Sequence, residues 1–238
     1  MNSTPGKSPG KDATPKGTLV IGIDFGTTFS GVAFTWSDKV DQVGVVNSWE
    51  ADGDNVDEAK APSAITYGPR GTFTWGYSVE PGDEQLKWFK LLLLKEDDIP
   101  EAIRASDKLQ EARNYLEKHN KTPIQVVTEF LRHLWEYSLK CITKAIGKAT
   151  VNYAQFHVAI TLPAIWPSYA REGMRLAARD AGILDKRLGV ETQLTFVPEP
   201  EAAAIAALAD MEGRFDVKVK KIPKQGNLLM LATDCASG

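Results

Sequence analysis

A chain of 238 residues, 43% hydrophobic and 25% charged, has the composition of an ordinary folded protein and the length to bury a sizeable core. Its net charge of −3 supplies no basic face, which argues against nucleic-acid and anionic-membrane binding. The two cysteines, Cys141 and Cys235, lie far apart, which argues against a disulfide framework and fits a reducing, cytoplasmic compartment, while the three histidines have no metal-ligand spacing.

Residues 1–17, MNSTPGKSPGKDATPKG, have almost nothing to bury and are expected to form a disordered tail, either a plain solvated leader or a phosphorylatable one. The tail shows no secretory h-region, and no apolar run in the chain is long enough to span a bilayer. Asn2-Ser3-Thr4 and Asn120-Lys121-Thr122 match the glycosylation sequon and are read as chance matches in a chain of cytosolic character. Leu19 to Asp24 is a short apolar run that reads as a strand buried on both faces. FGTTFS reads as a turn, GVAFTW as a second strand and QVGVVNSW as a third, together an antiparallel meander. EADGDNVDEAK is expected to be an acidic surface loop, and APSAITYGPRGTFTWGYSV a hairpin turning at Gly68-Pro69-Arg70-Gly71.

QLKWFKLLLL is compatible with either helix or strand. ASDKLQEARNYLEKHNK reads as a helix capped by Ser106 or Asp107. TPIQVVTEFLRHLWEYSLKCITKAIG is the clearest helix: Thr122 can cap it, Pro123 occupies the first helical position, and Gly147 ends it. Its apolar face is Ile124, Val127, Leu131, Leu134, Ser138 and Ile142, and His133 and Cys141 on it read as structural residues. FHVAITLP is a buried strand stopped by Pro163. PSYAREGMRLAARDAG is a helix with Gly182 just past its end. TQLTFV is a strand, PEPEAAAIAALAD a helix opening on carboxylates, and NLLMLATD the last strand. This order, a meander and then strands alternating with helices, implies an α/β domain with a mixed sheet.

Several stretches could carry chemistry. In GIDFGTTFSG, Asp24 closes a buried strand and Gly26, Thr27 and Thr28 turn the chain back. Such a turn can present backbone N–H groups and hydroxyls to a phosphate, with the carboxylate holding Mg2+ through water; its alternative is a plain Asp-initiated hairpin. It is neither a P-loop nor a dinucleotide fingerprint. Lys90, inside an apolar stretch, is either a positive arm toward a transferring phosphate or a snorkelling surface residue. Glu199, between two prolines, is either a helix start or a carboxylate presented to the cleft of Asp24. LATDCASG repeats the strand–aspartate–small-turn logic at Asp234.

Taken together, IGIDFGTTFSGVAF, WGYSV, LKWFKLLLL, TLPAIWPSYAREGMRLAARDAGIL and FVPEPEAAAIAAL resemble, in order and spacing, the actin-like ATPase domain of seventy-kilodalton heat-shock chaperones. The resemblance covers most of residues 18–210 and is to the divergent cytosolic branch common in fungi. It implies the first lobe of the actin-like ATPase (ribonuclease-H-like) fold, with one subdomain at about 18–55 plus 150–238 and an inserted subdomain at about 56–149. It further implies ATP and Mg2+ as ligands. Asp24 and Asp234 would hold the metal through water, and Gly26, Thr27 and Thr28 would form the first phosphate loop. Lys90 would be the catalytic lysine, although its flanks differ from the family's Phe-Asp-Ala-Lys, and Glu199 the glutamate orienting water and metal. Pro163 and Arg171 would belong to an interdomain switch.

The second phosphate loop departs from the family's Asp-x-Gly-Gly-Gly-Thr. Here Asp234-Cys235-Ala236-Ser237-Gly238 puts Cβ atoms where glycines let the backbone approach a phosphate, leaving Asp234 and Gly238 as its nucleotide-binding remnants. The family's adenosine-holding second lobe, linker and peptide-binding domain find no counterpart in these 238 residues. The expectation is a truncated nucleotide-binding lobe with weak or no ATPase activity of its own. Protein clients or co-chaperones would be reached only through the missing parts. The alternatives are a degenerate, non-catalytic partner-binding lobe and a sugar or acid kinase of the same fold, the latter disfavoured by VPEPEAAA.

Overall fold

The computed structural model describes residues 17–203 apart from 41, 52 and 189. The expected tail at 1–16, the last strand and the second phosphate loop lie outside the described residues, as does most of the helix expected after Glu199.

Leu19–Phe25 (β1) is buried along its whole length because it is paired on both sides. It runs antiparallel to Phe29–Trp36 (β2) and parallel to Phe156–Leu162 (β9). Gln193–Pro198 (β10) continues the parallel half beside β9, and the two-residue Gly44–Val45 (β3) closes the antiparallel half. With Ala61–Pro62 (β6) pairing the start of β2, this is a six-stranded mixed sheet in the order β10-β9-β1-β2-β3. The mixed α/β architecture expected from the order of elements is therefore present.

Two readings of the segment after β2 are corrected. QVGVVNSW is not one strand: only Gly44–Val45 joins the sheet, and Ser48–Ala51 (β4) leaves it. EADGDNVDEAK is not a loop, because β4 forms a hairpin with Asp54–Asp57 (β5). The cause is Trp49, which is fully buried, stacks on Tyr137 at 5.5 Å between ring centroids, meets Trp75 edge-on at 6.2 Å and donates its Nε1–H to the Glu58 carbonyl. Glu50, Asp54 and Asp57 are exposed on a hairpin anchored by one aromatic side chain.

Ile65–Tyr67 (β7) and Phe73–Trp75 (β8) form the expected hairpin around Gly68–Gly71. QLKWFKLLLL resolves as neither helix nor strand of regular length but as a 3-10 turn over Phe89–Leu93, which buries Phe89, Lys90 and Leu93. The helices are Glu101–Arg104 (α1), Asp107–Lys118 (α2), Pro123–Ile146 (α3), Lys148–Tyr153 (α4) and Ser168–Asp180 (α5). Ser106 precedes α2, but its hydroxyl makes no capping bond and Asp107 is already helical. Thr122 and Gln125 complete a capping box at the start of α3. Gly147 follows α3 with φ +91°, a backbone state that glycine adopts without strain. Helix α3 packs on α5 and on the 3-10 turn, and Phe130 of α3 lies 5.7 Å from Phe25 and 5.3 Å from Phe89. The end of β1 and the Lys90 turn are thereby fixed to the same helix.

Candidate nucleotide-phosphate site

The site forms where the C-terminal ends of β1 and β9 meet the segment entering β6 and the helix that begins after β10. In open α/β sheets this carboxyl edge is where ligands gather. A cavity of about 620 Å³ opens there, lined by Asp24, Gly26–Phe29, Glu58–Lys60, Tyr77, Glu199 and Ala203.

Asp24 is only 8% exposed. Its Oδ1 accepts a hydrogen bond from the Thr161 hydroxyl at 2.8 Å, and its Oδ2 lies 3.2 Å from the Lys60 ammonium. The parallel register sets Ile160 beside Ile23, so Thr161 comes next to Asp24. The turn that follows is tight. A Cβ on Gly26 would stand 2.2 Å from the Phe29 carbonyl oxygen, so only glycine fits. Two carbonyls of the turn are occupied by one residue: Ser63 donates its hydroxyl to the Gly26 oxygen at 2.9 Å and its N–H to the Thr28 oxygen at 2.8 Å. The Thr27 and Thr28 N–H groups have no acceptor among the described residues. The turn thus leaves donors, not acceptors, unpaired beside the cavity.

Lys90 is no snorkelling surface residue: its side chain is 2% exposed. The ammonium donates to the Phe25 carbonyl and to Glu199 Oε1, the latter at 2.6 Å. The rings of Phe25 and Trp166 flank it at 5.4 and 5.6 Å. Glu199 begins the helix after β10, and its side chain, 39% exposed, also lines the cavity. Asp24, Gly26–Thr28, Lys90 and Glu199, distant in sequence, are therefore drawn to one edge of the sheet. Tyr77 lines the same cavity. Burial, aided by Glu58, raises its pKa, so it stays a neutral phenol donating to the Lys60 carbonyl.

Pro163 and Arg171 are not at the cavity. Arg171 donates to the carbonyls of Trp166 and Ala164 at 3.2 and 3.1 Å, fastening the turn after β9 to α5. That turn places Trp166 against Lys90. Asp234 and Gly238 lie outside the described residues.

Three site residues escaped the sequence reading. Lys60 was absorbed into an acidic run, Thr161 into an apolar strand, and Ser63 into a hairpin. A hydroxyl inside the otherwise apolar AITLP was the available signal for Thr161. Lys60 offered none beyond being a lone cation in that run.

The donor set bears on the metal. Both oxygens of Asp24 already have protein partners, and the described residues hold no group of three or more His, Cys, Asp or Glu side chains placed to cage an ion. These residues would suit a hydrated ion better than a directly caged one, and Asp24 would be the carboxylate to hold it through water. No helix among the described residues is long and apolar enough to cross a membrane.

No protein-family model matches the chain. Human heat shock 70 kDa protein 12A is 28% identical to it over 202 residues, which is 79% of this chain and 28% of the relative, and the mouse protein of the same name gives the same figures. Human heat shock 70 kDa protein 12B is 27% identical over 221 residues, 83% of this chain and 30% of the relative. The chain thus spans less than a third of the length of these relatives. The similarity supports a relationship to the actin-like ATPase lobe of seventy-kilodalton heat-shock proteins.

Proposed function

We propose that this chain is a nucleotide-binding lobe of a heat-shock-chaperone-like, actin-type ATPase of the divergent cytosolic branch, and that the cavity at the end of β1 receives the phosphates of Mg-ATP. One observation carries the reading: the turn Gly26–Thr28 and the carboxylates Asp24 and Glu199 line one cavity, and the buried ammonium of Lys90 lies directly behind it, bonded to Glu199. In that role the Thr27 and Thr28 N–H groups bind phosphate oxygens. Lys90, fixed by Phe25 and Glu199, adds positive charge where negative charge develops. Glu199, paired through one oxygen and open to the cavity, orients water. Asp24 would hold Mg2+ through water, and the ion would supply charge neutralisation at the phosphates.

The described cavity is assigned to the phosphates, and no contact to adenine or ribose is assigned to it. A polypeptide of these 238 residues accordingly binds Mg-ATP with an affinity far weaker than micromolar and turns it over negligibly. Calorimetry on the purified chain tests this, and a micromolar dissociation constant would contradict it. The partner-binding alternative predicts no phosphate binding at all. Broadening of the ATP phosphorus resonances by millimolar protein, lost in Lys90→Met, supports the nucleotide reading; unbroadened resonances would favour the alternative.

A further inference from the structure

The site contains a second ammonium that the nucleotide reading does not use. Lys60 projects from the segment between β5 and β6, and that segment is held from several directions. Tyr77 donates to the Lys60 carbonyl at 3.1 Å, Ala61 and Pro62 pair with Ser30 and Phe29, and the Ser63 N–H binds the Thr28 oxygen. The same contacts that shape the phosphate turn therefore set the position of Lys60. Its side chain is 15% exposed, and among the described residues its one ionic partner is Asp24. Lys90 differs: it is sealed beneath the turn and committed to Phe25 and Glu199.

Charge balance makes Lys60 consequential. Among the described residues, Asp24, Glu58 and Glu199 line the cavity with Lys60 as their one cationic neighbour in the lining, and Lys90 lies behind them. Without positive charge at Asp24, an incoming polyphosphate would meet these three carboxylates offset by Lys90 alone. A divalent ion is one source, and an ammonium already in contact with that carboxylate is another.

We propose that Lys60 is an anion-binding residue of this site, neutralising Asp24 and donating to a phosphate oxygen at the Gly26–Thr28 turn, so that the lobe takes a polyphosphate with little dependence on Mg2+. This rests on the nucleotide-phosphate reading of the cavity. Lysine carries three donors on a flexible stem, so one ammonium can hold Asp24 and a phosphate oxygen together.

The test uses inorganic tripolyphosphate, which removes any contribution from adenine or ribose. Its phosphorus resonances are titrated with the full 238-residue chain in EDTA and then in excess Mg2+. Wild-type affinities in the two conditions should agree within about threefold. In EDTA, Lys60→Met should weaken binding by about tenfold or more, the loss of one charge-assisted contact. Mg2+ should restore much of that loss by taking over at Asp24, and Lys60→Arg should behave as wild type. Amide spectra of each variant confirm that it is folded. Tripolyphosphate bound by wild type only with Mg2+, and equally well by folded Lys60→Met, would overturn the role of Lys60 and leave the nucleotide reading standing. No binding by folded wild type in either condition would overturn both.

Discussion

Removing the carboxylate of Glu199 should hurt this fold more than removing the ammonium it pairs with. Lys90 is 2% exposed and Glu199 is 39% exposed, so the two ends of the bond face different solvents. Glu199→Ala strands a buried charge whose remaining hydrogen-bond acceptor is the Phe25 carbonyl. Stranding one partner of a fully buried pair costs about 3–5 kcal/mol, and the half-wet carboxylate here lowers that to about 2–3 kcal/mol. In a chain of this size that is a fall in Tm of roughly 4–12 °C. Lys90→Met instead fills a similar volume and leaves Glu199 to rehydrate. Its cost is the donor lost by Phe25, about 1–2 kcal/mol. In the Glu199→Ala background, Lys90→Met removes the stranded charge, so the double variant should be more stable than Glu199→Ala alone. Urea and thermal unfolding of wild type, both single variants and the double variant measure the cycle. Additive losses, or a double variant less stable than Glu199→Ala, would refute the assignment of Lys90 as a buried cation held by that carboxylate.

Gly26→Ala should cost about 1–3 kcal/mol, since the new Cβ would force the Phe29 carbonyl to move, and should abolish phosphate broadening; unchanged stability in urea would mean that the turn is not tight. Thr122→Ala removes the capping box of α3 and should cost about 0.5–2 kcal/mol in the same assay. Burial lowers the pKa of His157 below its ordinary 6.5, and burial likewise lowers that of His133. The folded protein therefore takes up these protons later than the unfolded chain. The stability they contribute is complete above the unfolded value and is lost as pH falls through the folded values. Urea midpoints should drop as pH falls below about 6.5, with a shallower slope in His157→Gln; identical slopes would remove His157 as a cause.

The parts of the site that could be read from sequence are those whose pattern is local. A buried apolar run ending in Asp24, followed by a glycine-threonine turn, states its geometry within ten residues, and the capped start of α3 is written in Thr122-Pro123 with Gln125. What stayed hidden depends on long-range pairing. Lys90 looks like any lysine in an apolar stretch until Glu199 arrives 109 residues later to hold it. Lys60 acquires meaning only because Ala61 and Pro62 pair with β2 beside the phosphate turn. The hairpin β4–β5 hid behind its acidic residues because one tryptophan, not a strand-like alternation, holds it in place.

Residue-resolved mapping of ligand binding tests the location of the site most directly. Amide resonances of the chain, titrated with Mg-ATP to millimolar concentration, should shift at Gly26, Thr27, Thr28, Lys60, Lys90 and Glu199. The separate cavity bounded by Arg132, Trp135 and Arg187 should stay silent. Shifts confined to that second cavity, or no shifts anywhere in a folded chain, would contradict a phosphate site at the end of β1.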